Sequence, residues 1–504
     1  MRYSMLAVLS LGSFVLYFMA TKVIRYFQIR SFSKTHGCKA VKNLPQSDPI
    51  FGYDFFKLQV KAAISGNILS SGLERFNKHG KTHKVVMMGT SLIVTTEPEN
   101  VKAILSTNFK DYGLGGRLKV FGPLLGSGIF TTDGAHWEHS RALIRPSFVK
   151  TQVADLASLE NFIQNMIKKI PRDGATVDLQ PLLFQLTLDS STDFLFGESV
   201  NILLSPEGSE QQLFAAAFDY ARTQLGRRAR LGAFLWTYRD AEFVLACKRV
   251  HNFVDGFVYK ALEYRKGKDS GQTDEKSSGK YVFLNELAEA TDDPKRLRDE
   301  LLNVLLAGRD TTAGLLSSIF HVLARRQDVW EKLQAEVALL DGKLPHYETL
   351  RNMKYLRNVL NETLRLWPIV PLNSRFAVRD TVLPVGGGPD GLSPIFVGVG
   401  QIVNWSLYSM HRRKDLWGAD AGEFRPERWG EKTAVRIGWG YLPFNGGPRI
   451  CVGQQFALTE ASYTVVRLLQ EFKGIENRDP QPWIEAFAVT LASRHGTKVA
   501  MVPR

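Results

Sequence analysis

Cys451 lies in the stretch Phe444-Asn445-Gly446-Gly447-Pro448-Arg449-Ile450-Cys451-Val452-Gly453, whose residue types suit a thiolate that binds a metal. Such a ligand needs a rigid loop and backbone N–H groups brought close to the sulfur. Gly446, Gly447 and Gly453 allow tight turning, Pro448 stiffens the loop and removes one donor, and Arg449 offers a planar cationic fork to a carboxylate. A glycine-rich turn around a structural cysteine is the competing reading. Three further groups could do chemistry. Asp310 and Thr311, in Ala307-Gly308-Arg309-Asp310-Thr311-Thr312, pair an acid with an alcohol as a proton relay would. Buried mid-helix without a role, they would be costly. Glu362 and Arg365 are three apart and share a helix face, and Arg428, in Phe424-Arg425-Pro426-Glu427-Arg428-Trp429, could complete a buried Glu–Arg–Arg cluster against the cysteine loop. Trp137 and Arg141, four apart, put an indole N–H and a guanidinium on one face, where both can donate to one carboxylate or simply pack together.

Groups spread over 300 residues must be gathered by a large fold. With 504 residues, 44% of them hydrophobic, the chain can bury an extensive core, which excludes global disorder. Three cysteines, Cys38, Cys247 and Cys451, are odd in number and far apart, which argues against a disulfide framework and for a reducing compartment. The net charge of +14 favours an acidic partner or an anionic membrane surface. Nucleic acid is discounted, because Lys and Arg are dispersed and no zinc spacing or RNA-binding aromatic motif is present.

The elements follow in order. Tyr3 to Ala20 is an uncharged run of about bilayer thickness as a helix, followed by Lys22, Arg25, Arg30, Lys34, Lys39 and Lys42. It predicts a membrane anchor over 1–24 with the remainder cytosolic, a cleaved signal peptide or interfacial helix being the rivals. Residues 25–49 read as a basic, proline-containing linker, and 50–504 as one domain. Lys84–Met88 and Leu92–Thr96 flank Gly89-Thr90-Ser91 and predict a β-hairpin. Phe109 to Phe130 is glycine-rich without a clear period, so an irregular loop lining something apolar is expected. Leu182–Phe196 and Leu213–Tyr264 predict helices, the second broken near Gly226 and Gly232, and 267–280 an exposed flexible loop. Pro294 to about Arg325 predicts one long helix, apolar nearly all round. Arg309 and Asp310 at its centre argue against a second membrane span, since each would cost roughly 2.5–3.5 kcal/mol there. Pro368 ends the Glu362 helix, short strands fill 371–399, and a helix over 454–472 begins beside Cys451, its dipole favouring a thiolate. Strands are expected around 487–491 and 498–502.

Taken together, Trp137 with Arg141, Ala307-Gly308-x-Asp310-Thr311, Glu362-x-x-Arg365, and Pro426-Glu427-Arg428 before Phe444-x-x-Gly-x-Arg-x-Cys-x-Gly resemble the cytochrome P-450 superfamily over about residues 45–504. The wording of Ala307–Ser317, Gly386-Gly387-Gly388-Pro389-Asp390-Gly391 and Gln454–Ala461 is similar to the fungal microsomal n-alkane and fatty-acid hydroxylases. Trp367 and Val452 stand where that family more often has Tyr and Leu.

The resemblance implies a mainly α fold with small β-sheets, a long central helix over a haem b, the cysteine loop beneath it, and an N-terminal transmembrane helix. It implies Cys451 as the axial thiolate on the iron, and Trp137, Arg141, Arg375, Phe444 and Arg449 as cofactor-binding. Asp310 and Thr311 would deliver protons, while Glu362, Arg365 and Arg428 would be structural. Leu118, Phe121, Leu124, Ala307 and Val370 are the implied substrate-pocket candidates, and recognition segments over 111–129 and 213–236 would decide the substrate. With about fifty residues after Cys451, no fused flavin domain is expected. Electrons would come from NADPH through a separate flavoprotein reductase, with cytochrome b5 as a second candidate donor, at the cytosolic face of the endoplasmic reticulum. Terminal or near-terminal hydroxylation of a fatty acid or n-alkane is the leading expectation. The alternatives are a polyketide or terpenoid substrate, a haem-binding sensor or carrier, and an oxygen-independent isomerase.

Overall fold

The structure, a computed structural model, describes residues 2–148, 156–269, 282–431 and 437–504. The fold is mainly helical with small sheets. In chain order the elements that build the site are helix α1 (Arg2–Thr35), strands β1 (Thr82–Met87), β2 (Thr90–Thr95) and β3 (Tyr112–Gly113), and helices α2 (Arg117–Leu125) and α3 (Gly134–Ile144). Helices α4 (Leu179–Phe196), α5 (Glu210–Leu231), α6 (Ala241–Asp269), α7 (Pro294–Leu323) and α8 (Lys354–Leu366) follow. Strands β4 (Leu372–Ala377) and β5 (Ile402–Ser406), helix α9 (Gln454–Glu471), and the hairpin β6 (Glu485–Phe487) and β7 (Leu491–Ser493) complete the set.

Helix α7 is the axis. Asp293 caps it, accepting from the N–H groups of Lys295 and Arg296 at 2.9 and 3.3 Å, and Pro294 occupies the first turn, where a missing N–H costs nothing. Its two halves belong to different cores. Leu301, Leu302, Leu305 and Leu306 pack with Phe214, Phe218 and Val250 from α5 and α6. Leu315, Leu316, Ile319 and Phe320 pack with Val359 and Leu360 of α8 and Val465, Val466 and Leu469 of α9. Each such side chain contributes roughly 1.5–3 kcal/mol by leaving water. The stretch between the two cores, from Ala307 to Thr312, is therefore held rigidly from both ends.

One mixed sheet runs in the order β1-β2-β5-β4-β3; only β2 and β5 pair in parallel. The β1–β2 hairpin turns on Met88 and Gly89, both at positive φ (50° and 73°), as a two-residue hairpin turn requires. The turn falls one residue earlier than the spacing of Gly89-Thr90-Ser91 suggests.

Several expectations are corrected. The glycine-rich segment 109–130 is not irregular throughout: α2 forms despite Gly122 and Pro123, because Leu118, Phe121, Leu124 and Leu125 recur at helical spacing and Leu124 and Leu125 are buried. The break after α5 falls at Gly232, not Gly226. A Cβ at Gly226 would meet Ala488 Cα at 2.9 Å, so that glycine serves a close approach inside an unbroken helix. Residues 488–490 form the turn of the terminal hairpin, with β6 and β7 on either side. The flexible loop expected over 267–280 is helical to Asp269, and 270–281 lie outside the described residues.

The N-terminal region also differs. Helix α1 continues to Thr35, so nearly half of the expected linker is helical. It is tied to the body: Arg25 forms a bidentate pair with Asp380 at 2.5 and 2.6 Å, and Phe32 meets Phe396 edge-on at 5.5 Å. Among the described residues no helix is long and apolar enough to cross a membrane. The side chains of residues 1–9, which begin the expected anchor, lie outside the described residues. From Ser10 onward, Ser13, Tyr17, Thr21, Lys22 and Arg25 dilute the apolar run.

Candidate active site

A cavity of about 1360 Å³ opens between the middle of α7 and the cysteine loop. Ala307, Gly308, Thr311, Thr312 and Leu315 form one wall, and Phe444, Arg449, Ile450, Cys451 and Val452 the opposite one. The loop is rigid for identifiable reasons. Cys451 N–H donates to Phe444 O at 2.9 Å, and Gly447–Arg449 forms a tight turn. Gly447 has φ +65°, and a Cβ there would stand 1.8 Å from Leu105 O, so only glycine fits. Cys451 is surrounded by protein except toward the cavity. Burial raises its thiol pKa, while the Gly453 N–H at the start of α9 and the Arg141 guanidinium draw it down.

Beside the loop stands a group of guanidiniums. Arg449 donates to Asp133 Oδ1 at 2.7 Å and Thr132 O at 3.0 Å, and its guanidinium lies 4.2 Å from the centre of the Trp137 ring. Arg141 donates to Ile450 O at 2.9 Å. Arg375, brought by β4, donates to Ser374 O at 2.8 Å, and Arg117, at the start of α2, donates to Asn373 Oδ1 at 3.2 Å. Burial pulls the pKa of Arg117 and of Arg449 down to about 10, only partly offset by Asp133. That of Arg375 is lowered well below its ordinary value, by burial first and then by Arg117 and Arg449. Four crowded cations with one aspartate call for a bound anion. Trp137 and Arg141 do not share a protein carboxylate as the spacing suggests; the indole supports Arg449 and the guanidinium holds the loop carbonyl. Sequence reasoning missed Arg117, whose only signal was a cation in a segment taken for an apolar loop.

Thr311 faces the cavity, its hydroxyl donating to Ala307 O at 2.7 Å within the helix. Asp310 does not. It is fully buried and points toward α5, with Oδ2 3.1 Å from Arg222 Nε and Oδ1 3.1 Å from Arg309. Arg309 also forms a bidentate pair with Asp219 at 2.6 and 2.9 Å. Burial raises the Asp310 pKa, opposed by Arg222 and then Arg309. Successive helix residues lie about 100° apart; Thr311 and Thr312 fall on the cavity side of α7, and Asp310, one step before them, turns aside toward α5. Of the implied pocket residues, Phe121, Ala307 and Val370 line the cavity. Leu118 and Leu124 do not: α2 turns Val120, Phe121 and Leu125 inward, leaving Leu118 largely exposed and Leu124 in the core.

Behind the loop, the Glu–Arg–Arg cluster is buried and fully engaged. The Glu362 carboxylate accepts from Arg365 Nε and Nη2 (2.8 and 2.9 Å), Arg428 Nε (2.8 Å), Trp429 Nε1 (3.0 Å) and Arg425 N (2.8 Å). Arg365 also reaches the carbonyls of His411, Ala421 and Glu423. His411 in turn accepts from Leu442 N at 3.1 Å, just before Phe444. Burial and Arg365 push the His411 pKa down to about 3, keeping the imidazole neutral. Two further residues went unread in the sequence. Glu300 on α7 accepts from the Ser140 hydroxyl on α3, and burial raises its pKa to about 7. Glu460 on α9 is buried, and neither of its oxygens accepts a hydrogen bond in good geometry. Burial pushes its pKa up to about 8, the nearby Ser190 and Thr312 hydroxyls opposing the rise.

The residues fit a haem. The cavity offers a cysteine sulfur open to the interior on one side and small and apolar residues on the other. The arginine group leaves positive charge uncompensated, as two propionates require. A family model described as Cytochrome P450 matches residues 45–497. The cytochrome P450 monooxygenase himC of Aspergillus japonicus is 50% identical over 468 residues, covering 92% of this chain and 84% of that one. Cytochrome P450 monooxygenase fsdH of Fusarium heterosporum is 46% identical, covering 99% and 88%. Cytochrome P450 52A5 of Candida maltosa is 44% identical, covering 95% and 94%.

Proposed function

This chain belongs to the cytochrome P450 family, and we propose that the monooxygenase it forms hydroxylates a fatty acid or n-alkane at or near the chain terminus. The observation that carries the reading is the cavity between Thr311 and Cys451. Apart from its polar floor it is walled by extended apolar surface from Phe121, Leu125, Leu315, Ile369 and Val370. Cys451 would hold a haem by its thiolate, and the chemistry that haem would supply is activation of dioxygen and transfer of one oxygen atom to a C–H bond. The chain's own residues do the rest. Cys451 donates electron density from a loop fixed by the Phe444 carbonyl. Arg117, Arg141, Arg375 and Arg449 would hold the carboxylates of the cofactor. Thr311 places a hydroxyl at the reacting face and passes protons there, and Asp310 supports it from behind the helix. The apolar walls exclude bulk water.

Electrons reach the site from a separate NADPH-dependent flavoprotein, which the net charge of +14 would attract to its acidic docking face, with cytochrome b5 as a second donor. Leu11, Phe14, Leu16, Phe18, Ile24 and Phe27 are exposed along α1, which would attach the protein to the endoplasmic reticulum membrane from the cytosolic side. A second reading keeps the chemistry and changes the substrate to a polyketide or terpenoid, because a cavity of about 1360 Å³ also admits a folded polycycle. Reconstitution with reductase and NADPH, followed by mass spectrometry of products from both substrate panels, decides between them. Hydroxylated palmitate or hexadecane is the expected product, and turnover of polycyclic substrates alone would refute the first reading.

A further inference from the structure

The cavity carries more positive charge than its floor accounts for. Six cations line it and, among the described residues, no aspartate or glutamate does. Arg117, Arg141, Arg375 and Arg449 gather beside Cys451 and Asp133, where two propionates match them. Lys119 and Arg230 remain. They stand at the mouth, on two elements held together: Arg228 of α5 donates to Lys119 O and Val120 O of α2, both at 2.9 Å. Lys119 and Arg230 both line the cavity and are both solvent-exposed, which puts them on its outer side. Arg230 donates to Phe487 O at the tip of the terminal hairpin, which fixes one edge of its guanidinium and leaves the rest of its fork for another acceptor. Burial and the neighbouring Arg227 lower its pKa, and no acid offsets them.

We propose that Lys119 and Arg230 form a carboxylate subsite at the cavity mouth, so that the preferred substrate is a long-chain monocarboxylate and not a neutral alkane. This rests on the fatty-acid reading above and sharpens it. Two cations on a rim otherwise built from apolar residues such as Val120, Phe234 and Leu235 would anchor the ionised end of a chain and leave its alkyl tail to fill the interior. The methyl end then points to the Thr311 face, which gives terminal in preference to carboxyl-proximal oxidation. A neutral chain has no such fixed end and would be oxidised at scattered positions.

The test is ligand titration of the haem-loaded, lipid-free protein, read by the Soret shift, with palmitate, hexadecanol and hexadecane. The double variant Lys119→Gln/Arg230→Gln is compared with wild type, and an intact Soret band of the reduced carbonyl complex establishes folding. The variant's Kd for palmitate should rise roughly ten- to hundredfold, the range for losing charge-assisted hydrogen bonds, with hexadecanol and hexadecane unchanged. Arg230→Lys on its own should retain most palmitate affinity, because the charge is kept. An unchanged palmitate Kd in the double variant, with wild type still binding and oxidising palmitate, overturns the subsite and leaves the proposed function standing. An equal rise for hexadecanol also overturns it, since charge is then not what is read. Wild type that binds none of the three overturns the substrate reading and the subsite together.

Discussion

Replacing Glu460 with Gln should remove a pH dependence of stability that the fold builds into α9. The carboxyl is buried among α4, α7 and α9, with Ser190 and Thr312 nearby and no hydrogen-bond partner in good geometry. Its pKa rises from an ordinary 4.5 to about 8. Below about 4.5 the carboxyl is protonated in both folded and unfolded chains, and stability is at its plateau. Between 4.5 and 8 the folded state keeps a proton that the unfolded state has released, so stability falls as pH rises, and above 8 the loss is complete. The full difference is on the order of 5 kcal/mol, a large part of a typical net stability of about 5–15 kcal/mol. Gln keeps the size and cannot ionise, so its curve lacks this slope. Urea denaturation of the haem-loaded protein from pH 5 to 9 measures the effect as the difference between Glu460→Gln and wild type. Glu300, near 7, contributes equally to both proteins and cancels. The variant should gain on wild type by several kcal/mol across this range, and a protonated-carboxyl infrared band should vanish. Parallel denaturation curves would refute the assignment of a neutral buried acid.

Other perturbations address the remaining parts of the site. Glu362→Gln leaves Arg365 and Arg428 facing an amide and should cost about 3–5 kcal/mol, measured by denaturation together with haem retention. Unchanged stability would remove the cluster's structural role. Gly447→Ala sets a methyl against Leu105 O at a left-handed φ, so the protein should express without stable haem; normal loading would show that the loop can move. Cys451→Ser should abolish the thiolate-type Soret position of the reduced carbonyl complex, and its persistence would exclude Cys451 as the ligand. Thr311→Ala should raise peroxide release per NADPH consumed and lower product; an unchanged ratio would take the Thr311 hydroxyl out of proton delivery.

The sequence made local facts legible and left facing directions to the fold. Helix α7 could be read from Pro294 at its start and its apolar continuity, and the cysteine loop from five spaced residues. Spacing of Glu362 and Arg365 gave a shared face but not its burial, which depends on Arg425 and Trp429 arriving from 63 and 67 residues away. Arg375 was placed only through the family resemblance, and Arg117 was hidden because α2 looked irregular. Its glycines and Pro123 obscured a helix that tertiary packing of Leu124 and Leu125 stabilises. His411, Glu300 and Glu460 carry no motif at all. Their character comes from burial, which no single-sequence pattern records.

Asp310 marks the boundary most clearly. Adjacency to Thr311 suggested two groups acting on one reactant, yet the helix turn that brings Thr311 and Thr312 to the cavity carries Asp310 away from it. The acid instead joins Asp219, Arg222 and Arg309 in a set of two acids and two guanidiniums that bridges α7 to α5, with Asp310 and Arg309 buried and Asp219 partly exposed at its outer edge. Both arginines stack near Phe184, and Arg309 also near Phe218, so aromatic faces complete the shielding. Breaking such a set by removing one partner is expensive. Helix α5 is also the element whose far end carries Arg228 and Arg230 to the cavity mouth. The ion set that holds the acid behind Thr311 thus also braces the α5 side of the cavity, and mutation of Asp310 should perturb the proposed proton supply and the cavity shape together. Asp219→Asn weakens the bridge at Arg309 while the Arg222–Asp310 pair remains, so substrate affinity should fall by a larger factor than the ratio of product to peroxide. A loss of coupling as large as that of Thr311→Ala with affinity unchanged would refute the reasoning.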